Sequence, residues 1–178
     1  MHIADVSLAA RGRWHMIAAC VIGFWVVAGI VINIASHLGA SVVWWDLIHP
    51  FTIGAMTTAI IVYSTHFTEA LTRMQARGYK GVAWRVGIVQ VGLVLLLVDR
   101  AGFDWGPLSD AASLLIIATF CWHGFDIYRA LRGSLAGSFA VTVPFYIAAA
   151  AFVIVSVLLV VLAANGVGNY SLLVAAHS

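Results

Sequence analysis

Long runs of apolar residues follow one another along the chain, and the short stretches between them collect most of its charges. A run of about 20 such residues crosses a ~30 Å hydrocarbon core as an α-helix. None of the runs alternates apolar and polar positions as a barrel strand must. The pattern predicts an all-α integral membrane bundle of five transmembrane helices, spanning about residues 14–36, 43–71, 82–98, 108–128 and 140–164. Short connections force neighbouring spans to run antiparallel and leave no room for a water-soluble module, so residues 1–178 are expected to form a single membrane domain. The last stretch, residues 170–178, is apolar but too short to cross. It reads as an interfacial helix or as the start of a sixth helix in a longer ancestor.

Apolar residues make up 63% of the chain and charged residues 9%, a composition that excludes a water-soluble globular domain of this length. Arg11 and Arg13 precede the first span, Arg73, Arg77, Lys80 and Arg85 fall at the second connection, and Arg129 and Arg132 end the fourth span. Arg100 alone lies on the other side. This bias predicts the N-terminus inside and the C-terminus outside. Asp46, Asp99, Asp104 and Asp110 gather on the outer face. The net charge of +2 follows from this topology and gives no support to nucleic-acid binding. The first run outlasts the apolar core of a signal peptide and lacks an Ala-x-Ala site after it, so it is expected to stay as an anchor. Cys20 and Cys121 fall within spans, where buried thiols are the ordinary reading and soft metal ligands the sharper one.

An imidazole inside a bilayer is costly and marks a candidate site, so the histidines carry most of the remaining information. Counted inward from Arg73 and Arg129 at ~1.5 Å per residue, His66 lies about 10 Å deep and His123 about 9 Å deep. Two rings at one depth on different helices suit a bis-histidine heme b, each giving a neutral nitrogen to the iron. Arg73, Arg77, Arg129 and Arg132 stand at the same face, where a guanidinium would pair with a propionate. The competing reading is that each ring hydrogen-bonds to a neighbouring helix. Tyr63 and Glu69 are placed to share the His66 face, and Thr119 and Asp126 to share that of His123. Asp126 either orients the His123 ring or pairs with Arg129.

A second set lies at the outer side, where His37 ends the first span and His49 begins the second beside Trp44, Trp45 and Asp46. His49 stands 17 residues before His66, ~25 Å along a continuous helix, so one metal ion cannot bind both. With His37 it would hold a copper ion or a second heme, and by itself it would line a quinol pocket; a plain interfacial histidine is the alternative. Pro50 leaves open whether the helix starts before or after it. His2 and His15 read as solvated, and His177 has no assigned role. Gly23, Gly29, Gly54, Gly87 and Gly92 permit close helix approach or room for a flat macrocycle. Gln90 is nearly the only polar side chain inside the third span. No Walker or Rossmann glycine pattern, His-Glu-x-x-His, Cys-x-x-Cys-His or Gly-x-Ser-x-Gly occurs, which removes sequence support for nucleotide, covalent-heme and hydrolase chemistry.

The segment His49-Pro50-Phe51-Thr52-Ile53-Gly54-Ala55, continuing through Tyr63-Ser64-Thr65-His66-Phe67-Thr68-Glu69-Ala70-Leu71-Thr72-Arg73, resembles the N-terminal membrane region of bacterial multicopper oxidases of the copper nitrite reductase type. Trp122-His123, Gly137-Ser138-Phe139-Ala140-Val141-Thr142-Val143 and Phe145-Tyr146-Ile147-Ala148-Ala149 look similar to the same region. That region is distantly similar to membrane heme and copper proteins of the heme-copper oxidase kind. The resemblance implies histidine-ligated heme at His49, His66 and His123 or a subset of them. The chain departs from the pattern in carrying Pro50 after His49 and no cupredoxin domain, so copper nitrite reduction would need a partner chain.

The function expected is that of a membrane heme b protein passing electrons between a quinol and a redox partner, such as a copper enzyme on the outer face. The axial ligands expected are His66 and His123, with His49 a third candidate. The alternative is a non-catalytic accessory or assembly subunit of a larger membrane oxidase or monooxygenase, binding copper or no metal at all. Other membrane subunits or a second copy are the expected partners, and the bacterial cytoplasmic membrane the expected location.

Overall fold

Ser7 opens the first helix by accepting the Ala10 N–H on its hydroxyl at 3.2 Å, and α1 (Leu8–His37) then runs for 30 residues. The computed structural model describes residues 7–72, 78–100, 105–133 and 138–177. The second span begins before Pro50, as α2 (Trp44–His49), and continues through a wide π turn (Pro50–Met56) into α3 (Thr57–Leu71). Proline has no N–H to give to the preceding turn. The helix widens there instead of ending, and the Thr57 N–H reaches back to Thr52 O, five residues away. Next come α4 (Lys80–Arg100), α5 (Pro107–Arg132), a 3₁₀ turn (Ser138–Thr142), α6 (Val143–Ala164) and α7 (Tyr170–His177). Five helical stretches are long and apolar enough to cross a membrane: Leu8–His37, Trp44–Leu71, Lys80–Asp99, Pro107–Arg132 and Ala140–Ala164. Among the described residues there is no strand.

The core lies between α3, α4 and α5, where Ile61, Val89, Leu93 and Phe120 are fully buried. α1 packs on the π turn through two reciprocal contacts. Phe51 covers Gly29, where a Cβ would stand 2.6 Å from the ring. Trp25 covers Gly54, where a Cβ would stand 2.5 Å from the indole. These two glycines serve close approach, whereas Gly23 and Gly87 face open space. Much of the apolar surface of α1 and α6 is exposed, Phe24 and Phe152 included, as lipid contact requires.

Polar side chains tie the helices where water is absent. The Trp25 indole N–H donates to Gln90 Oε1, and the Gln90 amide donates to Thr58 Oγ1 at 2.8 Å, linking α1, α4 and α3. Asn33 donates to Gly29 O at 2.8 Å and to Leu47 O at 3.0 Å. At the end of the bundle away from Lys80, Ser109 donates to Asp99, while Trp105 and Asn165 donate to Asp110. Asp99 and Asp110 thus hold helix ends together.

The last element, α7, packs back against α6. Gly166 and Gly168, at φ 70° and 81°, turn the chain sharply after α6, and α7 folds back along it. His177 bonds to Ser156, which lies eight residues before the end of α6. α7 therefore dips about 12 Å below that end.

Candidate functional site

Of the described histidines, His15, His49, His66, His123 and His177 fall at three places, and His2 lies outside the described residues. At the Asp110 end, the His49 ring lies face to face with Trp45, centres 3.7 Å apart, and its Nδ1 donates to Trp45 O at 2.7 Å. The His177 ring stands nearly parallel to it, with an angle of 14° and centres 6.4 Å apart. Ser156 gives its hydroxyl proton to His177 O, so His177 Nδ1 donates to Ser156 O at 2.8 Å and to its Oγ at 2.9 Å. A carbonyl only accepts, so Nδ1 carries a proton in both rings. His37, one of the companions considered for His49, lies at the exposed end of α1. His177 is the histidine whose ring stands against His49.

At the Lys80 end, the His66 ring meets His15 of α1 edge to face, centres 5.0 Å apart. His15 also stacks on Tyr63 at 5.9 Å. His15 is thus packed among aromatic rings rather than solvated. A small cavity beside them is lined by Trp14, Thr65, Glu69 and Tyr79 as well.

His123 is the third, and it is almost wholly buried. Its Nε2 lies 2.9 Å from Ser64 Oγ. The Ser64 proton goes to Ile60 O, so His123 Nε2–H is the donor and the buried Nδ1, which has no hydrogen-bond partner, holds the lone pair. Ser64 and His66 are two residues apart on α3, about 200° around its axis. The ring of His123 therefore meets one side of α3 while His66 faces α1 from another, and no ring contact joins them. His66 thus packs on His15, and His123 on Ser64.

The other expected residues are equally placed by their neighbours. Arg73 and Arg77 lie outside the described residues. Arg129 sits over the Phe125 ring at 5.8 Å and Arg132 over Tyr128 at 5.8 Å. Asp126 pairs with Arg85 at 2.8 Å, not with Arg129 or His123. Cys20 and Cys121 are exposed, so the expectation of buried thiols is corrected. Among the described residues, no three His, Cys, Asp or Glu side chains converge to hold a metal ion.

Arg85 is the residue that sequence reasoning missed, having been assigned to a connection. It sits in α4, only 3% exposed, and its guanidinium also lies over Trp122 at 5.5 Å. The signal was present: Val82, Val86, Val89 and Leu93 are all buried, and Arg85 falls in the same helical stripe.

Helices of this length, with paired polar groups and histidines set inside them, define a multi-pass helical membrane protein. No protein family, no curated protein and no solved structure matches the chain.

Proposed function

We propose that the chain is a membrane heme b subunit that passes electrons between a quinol in the bilayer and a redox partner at the outer face, with His49 and His177 as the axial ligands. The closeness of these two rings carries the reading: their centres are 6.4 Å apart and their planes 14° from parallel. Each ring also donates its Nδ1 proton to a backbone carbonyl, the kind of contact that orients a ligating histidine. Trp45 backs the His49 ring and fixes its plane.

When bound, heme supplies one-electron transfer. The chain's part is to hold the ring pair about 8–12 Å inside the membrane, within reach of a quinol from the lipid and of a partner beyond the surface. His66 and His123 pack on different partners, His15 and Ser64, which favours the outer pair as ligands. The resemblance to the membrane region of multicopper oxidases supports a copper enzyme as the partner and the bacterial cytoplasmic membrane as the place. The charge bias supports an N-terminus inside.

The test is heme and metal content of the chain purified from heme-replete cells. The proposal expects one heme b per chain and a reduced-minus-oxidised absorbance difference. Bound copper without heme would replace heme by a copper site. A colourless, metal-free chain that copurifies with larger subunits would establish the accessory reading instead.

A further inference from the structure

One face of α5 stays outside the bundle, and its chemistry changes along its length. Leu114, Ala118, Trp122 and Phe125 recur on it at steps of three or four residues, all of them exposed. The opposite side, with Ile116, Phe120 and Ile127, is buried in the core. An exposed apolar strip inside a membrane span lies against lipid tails. Tyr128 follows on the same strip and is also exposed; an aromatic ring with a polar tip suits the headgroup boundary. Arg129 and Arg132 close the strip in the last turn, and both are exposed.

These two arginines fold back along the helix. The Arg129 guanidinium lies over the Phe125 ring and that of Arg132 over the Tyr128 ring, each 5.8 Å from the ring centre. Each ring belongs to the residue four positions earlier, about 6 Å nearer the bilayer centre along the axis. Among the described residues neither arginine has a carboxylate partner, and Asp126, the acidic residue just before them on α5, is turned to Arg85 at 2.8 Å. A guanidinium resting its face on an aromatic ring keeps its N–H edge for an oxyanion, which it takes with two parallel hydrogen bonds. The carbonyls at the helix end carry partial negative charge and would repel an anion placed beyond them. The oxyanion therefore sits beside the last turn, over the lipid-facing strip.

We infer that this face of α5 binds one anionic phospholipid, with Arg129 and Arg132 holding its phosphodiester and the strip from Leu114 to Phe125 lying along an acyl chain. Charge selects the lipid: the ammonium of phosphatidylcholine competes with the arginines for the phosphate, whereas phosphatidylglycerol leaves it to them. Neither His49 nor His177 takes part, so the inference stands apart from the heme reading.

The experiment is native mass spectrometry of the purified full chain in detergent, with phosphatidylglycerol and phosphatidylcholine of matched acyl chains. The wild-type chain is expected to retain one phosphatidylglycerol in preference to phosphatidylcholine. Arg129→Gln and Arg132→Gln should each lower that preference about fivefold, and together abolish it, with thermal unfolding at the wild-type temperature because both side chains are exposed. Arg129→Lys with Arg132→Lys keeps the charge and loses the fork, and should fall between the wild-type chain and the glutamine pair. Arg13→Gln, exposed on α1 at the same end, should leave the preference unchanged. Equal retention of the two lipids by the wild-type chain, an unchanged preference in the glutamine pair, or an equal loss in Arg13→Gln would overturn the inference. So would displacement of the lipid by glycerol 3-phosphate at equal concentration, which would make the ligand a soluble phosphate ester.

Discussion

At the scale of single residues, the pair of buried Arg85 with half-buried Asp126 decides most about this protein's interior. Its cost is chiefly the removal of the Arg85 charge from water, and its gain depends on each having the other. Arg85→Ala leaves Asp126 without this partner and is expected to cost about 1–3 kcal/mol, whereas Arg85→Met combined with Asp126→Leu should be nearly neutral. Unfolding in mixed micelles measures both; equal losses in the single and the double variant would contradict the pairing. Gly54 gives a second test, because a methyl group there would meet the Trp25 indole. Gly54→Ala should destabilise by about 1–3 kcal/mol, and Gly23→Ala, in open space, should not. Residue identity was readable from the sequence, but ring direction was not. His66 and His123 do lie at matched counts from basic residues, yet Ser64 rather than His66 is the α3 residue that His123 meets. Depth follows from counting, whereas facing depends on how each helix is rotated in the bundle.

At the scale of elements, the second span and α7 position the outer histidines. Pro50 widens the helix without ending it, and the segment before the wide turn carries His49 and Trp45. No periodicity argument predicts such a turn, since hydropathy is the same on both sides of it. α7 was legible only as a short apolar stretch; its return along α6 depends on Gly166 and Gly168 in the left-handed region. Side chains with a Cβ are strained there by roughly 1–2 kcal/mol each. Gly166→Ala with Gly168→Ala should therefore loosen α7 and move His177 away from His49. Faster hydrogen exchange at residues 170–177, with α1 and α5 unchanged, would register this, and unaltered exchange would contradict it.

At the scale of the whole molecule, the sequence was most informative. Apolar runs marked the spans to within a few residues, because a bilayer demands long continuous helices and leaves little else possible. Sites were harder to see, since α1 supplies His15 to His66 and α7 supplies His177 to His49 from far along the chain. The expected topology can be checked with Cys20 and Cys121 replaced by Ala and one cysteine introduced at Gly78 or His37. Labelling of the first from the cytoplasmic side alone, and of the second from outside alone, is predicted; the reverse pattern would invert the protein.

The central claim is that His49 and His177 together hold a heme. The most direct measurement is the reduced-minus-oxidised absorbance spectrum of the purified chain beside the His49→Ala, His177→Ala and His66→Ala variants. The account predicts a heme b signal in the wild-type chain and in His66→Ala, and its loss in the other two. A signal that survives both outer substitutions but disappears with His66→Ala would contradict it.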